Sequence, residues 1–401
     1  PADRRTPPRA CCRADASNAP QTGSIDRSGQ WRALTQSHHY GMAEALRQAR
    51  KALYSTPPNP RVGCVIVAED KMVAAGWHGY TGGPHAEVNA INAAEIPIGA
   101  DFYVTLEPCS HHGRTPPCVD ALIEAKPARV IVAMQDPNPQ NNGRGLEILR
   151  DHGIEVITDV LGPEARELNR GFVKRMEQGL PFVSVKMACS LDGRSALKNG
   201  ISQWIPAKPA RRDVQLQRAR ASAILSSAQS VLDDDPSLNM RLSKQDLKQI
   251  FEVCHPTRVI VDSRLRLSGH EKVFSTKGEI WIYTLSRDED KKERLAASGA
   301  ALIELEADES GHISLPALMR DLADRGINEV HTECGQRLAG ALLSLGLADQ
   351  VVLYLAPHLL GSQARGVFDL GELTDMEQRQ TCSIRDIRQV GDDLRLTLNV
   401  N

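Results

Sequence analysis

Pro84-His85-Ala86-Glu87-Val88, followed by Thr105-Leu106-Glu107-Pro108-Cys109 and then by Pro116-Pro117-Cys118, is the stretch that decides the fold. One imidazole and two thiolates make a three-ligand zinc site with a fourth position open, and a glutamate two residues from the imidazole can move protons there. That is the recipe for hydrolytic deamination of a nitrogen heterocycle. Pro84 stands where a helix can start, its missing N–H harmless and its φ already set, and Ala86, Val88, Ala90, Ile91 and Ala93 continue a helical stretch. His85 and Glu87 are therefore expected in the first turn. Residues two apart do not share a face inside a regular helix, so both address one metal only at the helix entrance, His85 as ligand and Glu87 as base and acid. Residues 100–106 read as a strand that delivers Cys109 from the loop at its end. Cys118 opens the next helix, where unpaired N–H groups and the positive end of the dipole favour a thiolate.

A lone His-x-Glu is common by chance, and two cysteines are more often small buried apolar groups than ligands. It is the order His-x-Glu, Pro-Cys, then a second Cys behind a proline pair that carries the metal assignment. The general signature has two residues between its cysteines, whereas Ser110 to Pro117, eight residues, separate them here. His111, His112 and Arg114 in that loop are candidate substrate contacts, with solvated loop residues as the plain alternative.

A length of 401 residues exceeds the usual single-core limit and predicts two domains. The formal net charge is −2, aromatics make up 4% and neither half holds a basic run, which argues against a nucleic-acid partner. No apolar stretch is long enough to cross a membrane, and residues 1–35 lack the apolar segment of a secretory signal, so a cytoplasmic location is expected. Nine cysteines without framework spacing fit reduced thiols plus one metal site. Residues 1–35, rich in Pro, Arg, Ala, Ser and Gln, read as a disordered extension.

Apolar positions Met42, Ala45, Leu46, Ala49 and Leu53 predict a helix of period 3.6. Strands are expected over 62–67, over 72–77 across a Glu-Asp-Lys turn, over 129–134 and over 153–157. Strands alternating with helices indicate an α/β fold with a mainly parallel sheet covered on both faces, and the metal at helix starts beside strand ends. Gln178-Gly179-Leu180-Pro181 is the expected boundary between a zinc domain at 36–179 and a second domain at 180–401. In the second domain strands are expected near 182–188, 223–226, 258–262, 279–284, 328–333, 350–356 and 394–400, with helices near 207–221, 315–325 and 336–346. The second half contains neither Gly-x-Gly-x-x-Gly nor a P-loop, so its residues alone do not identify a ligand. Asp192-Gly193, Ser202-Gln203-Trp204, Asp233–Pro236 and Glu333-Cys334-Gly335 gather polar residues at predicted strand ends, where turns and helix caps are the plain alternative.

Asn59-Pro60-Arg61-Val62-Gly63, His85-Ala86-Glu87, the run Thr105 to Cys118 and Gln135-Asp136-Pro137-Asn138-Pro139 resemble the deaminase half of the RibD family of bifunctional riboflavin biosynthesis proteins. The run Lys186 to Arg194, Ser202-Gln203-Trp204, Ala210–Asp213 and Asp234-Asp235-Pro236 resemble its reductase half. The resemblance covers residues 38–400, and in that family the long gap between the cysteines is a shared trait. It implies an N-terminal cytidine-deaminase-like three-layer domain and a C-terminal dihydrofolate-reductase-like domain. The first would hydrolyse the 2-amino group of 2,5-diamino-6-(5-phosphoribosylamino)pyrimidin-4(3H)-one; the second would use NADPH to reduce the ribosylamino chain to ribitylamino. Zinc would be held by His85, Cys109 and Cys118 with Glu87 moving the proton, and Asn59 would bond the ring while His78 and the 110–117 loop orient it or the ribose phosphate. The resemblance also implies cofactor contacts at Ala188, Trp204, Ser230, Asp234 and the segment from Gly335. Substrate contacts would fall at Ser202, Arg218, Leu238, Arg241 and Glu333, the arginines being suited to phosphate. Pro206–Pro209 and Cys334-Gly335-Gln336 depart from the family's pattern where NADPH phosphates are held. A homo-oligomer, dimer or tetramer, is expected. The competing reading is a zinc deaminase of a free or nucleic-acid base with a non-catalytic C-terminal assembly module.

Overall fold

The computed structural model describes residues 38–111, 116–202 and 207–401. The 1–35 extension, His112, Arg114, Trp204 and Pro206 lie outside the described residues. Among these residues no helix is long and apolar enough to cross a membrane.

The first half builds α1 (His38–Arg50), β1 (Gly63–Ala68), β2 (Lys71–Trp77), α2 (Ala86–Ile91), β3 (Asp101–Val104), α3 (Cys118–Ala125), β4 (Arg129–Val132), α4 (Arg144–Asp151), β5 (Glu155–Ile157), α5 (Gly162–Leu168) and α6 (Arg170–Gln178). Its sheet runs in the order β2-β1-β3-β4-β5. Met42, Ala45, Leu46 and Ala49 of α1 bury against Val65, Tyr103 and Ile131 on one face. On the other face Ala86 and Ala90 of α2, Val119 and Leu122 of α3, and Leu146 and Leu149 of α4 cover Cys64, Ile66, Phe102 and Val104. The opposite directions of Val65 and its neighbours follow from the two-residue period of a strand. Three layers result, as expected.

The sheet is not mainly parallel, however. β1 runs antiparallel to both β2 and β3, and only β3, β4 and β5 are parallel to one another. The cause is local: no helix separates β1 from β2, and Glu69 and Asp70 turn the chain with φ of 48° and 60°. A two-residue turn of that hand joins antiparallel neighbours only. Gly76 of β2 then lets α2 seat directly on the sheet, since a Cβ there would lie 2.4 Å from Ala90 N and 2.5 Å from Ala86 O.

The second half adds β6 (Phe182–Ser190), β7 (Arg194–Ala196), α7 (Lys208–Arg220), β8 (Ala223–Ser227), α8 (Ala228–Asp234), β9 (Thr257–Val261), β10 (Ile280–Thr284), α9 (Glu289–Ala297), β11 (Ala300–Glu304), α10 (Leu315–Asp324), β12 (Glu329–Glu333), α11 (Gln336–Ser344), β13 (Gln350–Ala356), β14 (Arg365–Gly366), β15 (Cys382–Val390) and β16 (Asp393–Val400). Nine strands order as β11-β10-β9-β8-β12-β6-β13-β16-β15, and β7 pairs with β14. The pairings from β11 to β13 are parallel, while β16 and β15 are antiparallel additions. All seven expected strands and three expected helices of this half are present. The sequence reading missed the short β7, α8, β11 and β14, and it missed α9, whose one buried residue is Leu295, and β15, an edge strand with no fully buried position. Neither α9 nor β15 carries the apolar periodicity by which elements are recognised.

Charged groups join the halves. The Glu329 carboxylate, 5% exposed, meets Arg61 at 3.0 Å, Arg170 at 3.0 Å and Arg220 at 2.9 Å. Lys174 of α6 pairs with Asp349 at 2.7 Å. Burial would raise the Glu329 carboxyl, but the three arginines hold it far below the usual carboxylate range.

Candidate active site

His85, Cys109 and Cys118 place their donor atoms within 4.8 Å of one another. His85 Nδ1 lies 3.1 Å from Cys118 Sγ and 3.4 Å from Cys109 Sγ. A tetrahedral ion about 2.3 Å from sulfur and about 2.0 Å from nitrogen sets N···S separations of roughly 3.5 Å, so the triangle has the size that zinc requires. His85 is the N-cap of α2, with extended backbone at ψ 166°, and Glu87 is the second helical residue. The expectation that both lie within the first turn is corrected by one residue: His85 precedes the first turn as its extended N-cap and Glu87 lies within it.

Cys118 opens α3, as expected, but the free N–H of that helix start is spent on its partner: Cys118 N donates to Cys109 Sγ at 3.2 Å. A hydrogen bond from Cys118, together with those from His85 and the Cys118 backbone, lowers the Cys109 thiol to about 4. Cys118 is pushed the other way because it keeps its proton for Cys109 and is buried.

Glu87 is buried at 3% exposure, and its carboxyl is pushed up to about 7 by burial and then by the Cys109 charge. A carboxyl of that pKa both accepts and returns a proton near neutrality. His78 packs edge-on against His85 with ring centroids 5.5 Å apart. Its Nδ1 faces Pro84 O at 3.0 Å, which assigns the proton there and leaves Nε2 to accept from Asn59 Nδ2 at 3.2 Å. His85, Glu87, Cys109, Asn59, His78 and His111 line one cavity of about 570 Å³, a volume suited to a small organic substrate. His111 Nδ1 is buried there without a hydrogen-bond partner among the described residues.

The residues that hold the cysteine loop were missed. The Glu107 carboxylate accepts N–H bonds from Asp136 at 3.0 Å, Gly143 at 2.9 Å and Gly145 at 2.9 Å. Asn141 Oδ1 accepts from Ser110 N at 2.9 Å and Ser110 Oγ at 2.7 Å, beside Cys109. Burial raises the Asp136 carboxyl to about 6. The signal available was the cluster of amide and acidic residues from Gln135 to Asn142, dense in groups that bond backbone N–H.

In the second half the predicted residues gather at the C-terminal ends of parallel strands. Arg218 of α7 forks onto Glu333 at 2.5 and 2.8 Å and donates to Asn239 O at 2.7 Å. Burial would raise the Glu333 carboxyl, but Arg218, His331 and Lys186 hold it well below its ordinary range. Arg218 is therefore committed to the protein, whereas the Arg241 side chain is exposed and unpartnered among the described residues. Ser230 Oγ accepts from Gly335 N at 3.2 Å, and Ser202 Oγ donates to Asp234 at 3.2 Å. A Cβ at Gly335 would meet only Ser230 Oγ, at 4.0 Å, so the start of α11 is open to a ligand approaching its backbone. Leu238 is buried with φ of 45°, its side chain in the core, leaving only main chain to offer. Ala188 faces Tyr354 and α7. Lys186 pairs in register with Glu333, and burial lowers its ammonium.

Comparison with known proteins agrees with this two-part arrangement. The family "Cytidine and deoxycytidylate deaminase zinc-binding region" matches residues 35–134, and "RibD C-terminal domain" matches residues 181–396. The riboflavin biosynthesis protein RibD of Escherichia coli (strain K12) is 46% identical over 90% of this chain and 98% of its own length. That of Haemophilus influenzae is 43% identical over 89% and 95%. Among solved structures, Acinetobacter baumannii RibD (form 1) superposes with a TM-score of 0.84 at 40% identity, over 90% of this chain and 98% of its own. A diaminohydroxyphosphoribosylaminopyrimidine deaminase/5-amino-6-(5-phosphoribosylamino)uracil reductase of Thermotoga maritima superposes with a TM-score of 0.77 at 33% identity, with the same coverage.

Proposed function

The chain belongs to the RibD family of bifunctional riboflavin biosynthesis proteins, and from that premise we propose which of its residues carry out each of two consecutive reactions. The first is hydrolytic deamination of 2,5-diamino-6-(5-phosphoribosylamino)pyrimidin-4(3H)-one. The second is reduction of the resulting phosphoribosylaminouracil, with NADPH as the reductant. The observation that carries the reading is the His85–Cys109–Cys118 triangle with Glu87 at the edge of one cavity. Relatives matched over both halves make a deaminase with a merely structural C-terminal module the weaker alternative.

His85, Cys109 and Cys118 hold the zinc, and their soft sulfur donors and imidazole suit that ion. When bound, zinc supplies the Lewis acidity that makes water a nucleophile near neutral pH. Glu87 takes the proton of the attacking water at its carboxylate and delivers it to the departing amine, so that ammonia leaves as the ring carbonyl forms. Asn59, polarised by its bond to His78, orients the pyrimidine, and His111 adds a donor or acceptor from the cysteine loop.

In the second half Ala188, Ser230, Asp234 and Gly335 form the cofactor side of the site, with the open start of α11 facing the phosphates; Trp204 belongs to the same set. When bound, NADPH supplies the hydride. Arg241 takes the substrate phosphate, while Arg218 and Glu333 brace the wall that Leu238 and Ser202 continue. We place the boundary between a deaminase domain at 36–179 and a reductase domain at 180–401, where α6 ends, Gly179 turns left-handed at φ 66° and β6 begins three residues later. The reading includes a homo-oligomer, supported by the long edge strand β15 with Ile384 64% and Ile387 57% exposed. It also includes a cytoplasmic location, supported by seven described cysteines that are all free thiols, with small-molecule substrates and neither nucleic acid nor membrane as partner.

The test is a coupled assay. Purified protein given the diaminopyrimidine substrate and NADPH is expected to release ammonia and oxidise NADPH in equal amounts. Ammonia without NADPH oxidation would remove the reductase assignment.

A further inference from the structure

Three cations project from α6: Arg170, Lys174 and Arg175. Arg170 is neutralised by Glu329 and Lys174 by Asp349, both carboxylates of the second half. Arg175 differs. Its Nε donates to Asn328 Oδ1 at 2.7 Å, and among the described residues no carboxylate pairs with it and its terminal nitrogens make no bond. Asn328 thus orients the guanidinium without cancelling its charge, which an aspartate there would do. Burial alone acts on Arg175, lowering its pKa, with no compensating group.

The place this cation occupies gives it a use. Arg175 lines the same cavity as His85, Glu87 and Cys109, and among the described residues lining it Arg175 is the one permanent cation. Asn328, 6% exposed, also donates from Nδ2 to Pro58 O at 2.9 Å. Pro58 and Asn59 form another part of the cavity wall. One asparagine of the second half therefore braces two walls of a cavity whose chemistry belongs to the first.

We propose that Arg175 binds the phosphate of the deaminase substrate through its terminal nitrogens, and that Asn328 is the positioning residue that holds it there. The inference rests on the deaminase reading, which supplies a phosphoribosyl substrate. A planar guanidinium with one edge tied to a neutral amide presents its remaining N–H groups as a fork to phosphate oxygens. The cavity would then recognise the charged end of the substrate by a residue pair drawn from both halves of the chain.

Deaminase kinetics on the phosphorylated substrate and on its phosphatase-treated counterpart test this, in the full-length zinc-loaded protein. For Arg175→Ala the preference for the phosphorylated form, read as the ratio of the two kcat/KM values, is expected to fall roughly tenfold or more, carried by KM. Arg175→Lys should keep part of the preference. Asn328→Asp, which keeps the bond from Arg175, gives up the one to Pro58 O and supplies a counter-charge, should lower the preference in the same direction while zinc content stays at one per chain. An equal loss on both substrates in Arg175→Ala, or an unchanged ratio, overturns the proposal and leaves the deaminase reading standing. Absence of ammonia release from either substrate in the unsubstituted protein overturns both.

Discussion

Arg61 and Glu329 are 268 residues apart in the chain and 3.0 Å apart in the structure. Arg61 follows Asn59 at the entrance to β1, so the deaminase wall is fastened to the first residue of β12. Arg170 and Arg220 complete the cluster, and all four groups are at least three-quarters buried. Removing the Glu329 carboxylate would leave three largely buried guanidinium groups facing one another, with only the half-exposed Glu167, 3.5 Å from Arg170, to offset them. Glu329→Gln is therefore expected to destabilise the protein by about 3–5 kcal/mol. Urea denaturation followed by fluorescence checks this, through the midpoint of the earliest transition.

The same cluster sets an acid limit. The folded Glu329 carboxyl is held far below its ordinary value, so its contribution is complete above the unfolded glutamate pKa of about 4.3 and is lost progressively as pH falls below it. Unfolding measured between neutral pH and pH 3 should show stability falling through that window. Glu329→Gln should flatten this part of the profile; an unaltered acid limb would refute the assignment.

Glu87→Ala should reduce ammonia release by about 10²–10⁴-fold. Zinc should remain bound, because the carboxylate lies outside the triangle of donors. Metal analysis of the purified variant, beside the rate, separates proton transfer from metal binding: loss of zinc in proportion to activity would make Glu87 a ligand instead.

Cys109→Ser and Cys118→Ser should each release zinc and abolish deamination, while NADPH oxidation persists when the deaminated substrate is supplied directly. A chelator applied to the unsubstituted protein should give the same division. Loss of both activities on chelation would mean that the metal supports the entire fold.

Arg241 and Arg218 should part company on substitution. Arg241→Ala is expected to raise the KM of the reduction step roughly tenfold and to leave the unfolding midpoint within about 1 kcal/mol. Arg218→Ala leaves Glu333 buried without its partner and should cost about 3–5 kcal/mol of stability. Parallel denaturation and kinetic measurements on the two variants decide whether the roles are divided in this way.

What could be read from the chain beforehand was whatever is encoded within a short window. His85, Glu87, Cys109 and Cys118 sit in local motifs whose spacing states their chemistry, and β8 and β13 announce themselves by apolar runs. The antiparallel β1–β2 pair was not legible as such, because alternation of strands and helices was taken to govern a connection that two residues, Glu69 and Asp70, complete alone. That the Cys118 N–H is given to Cys109 Sγ depended on the geometry of the loop between them. Arg218 looked suited to phosphate by residue type, and only its contacts show that it is already engaged. The bond from Arg175 to Asn328 spans 153 residues and leaves no mark in either neighbourhood.

β12 carries Glu329 at its first position and Glu333 at its last, on the same side of the strand. Four steps of about 3.3 Å put them roughly 13 Å apart. One is anchored among arginines of the deaminase half, the other on Arg218 beside the reduction site. A slip of one residue would turn both carboxylates to the opposite face in a single movement. The strand is in effect a key cut at both ends: it enters the sheet in one register only, and that register fixes at once how the two halves are spaced and how the second site is shaped.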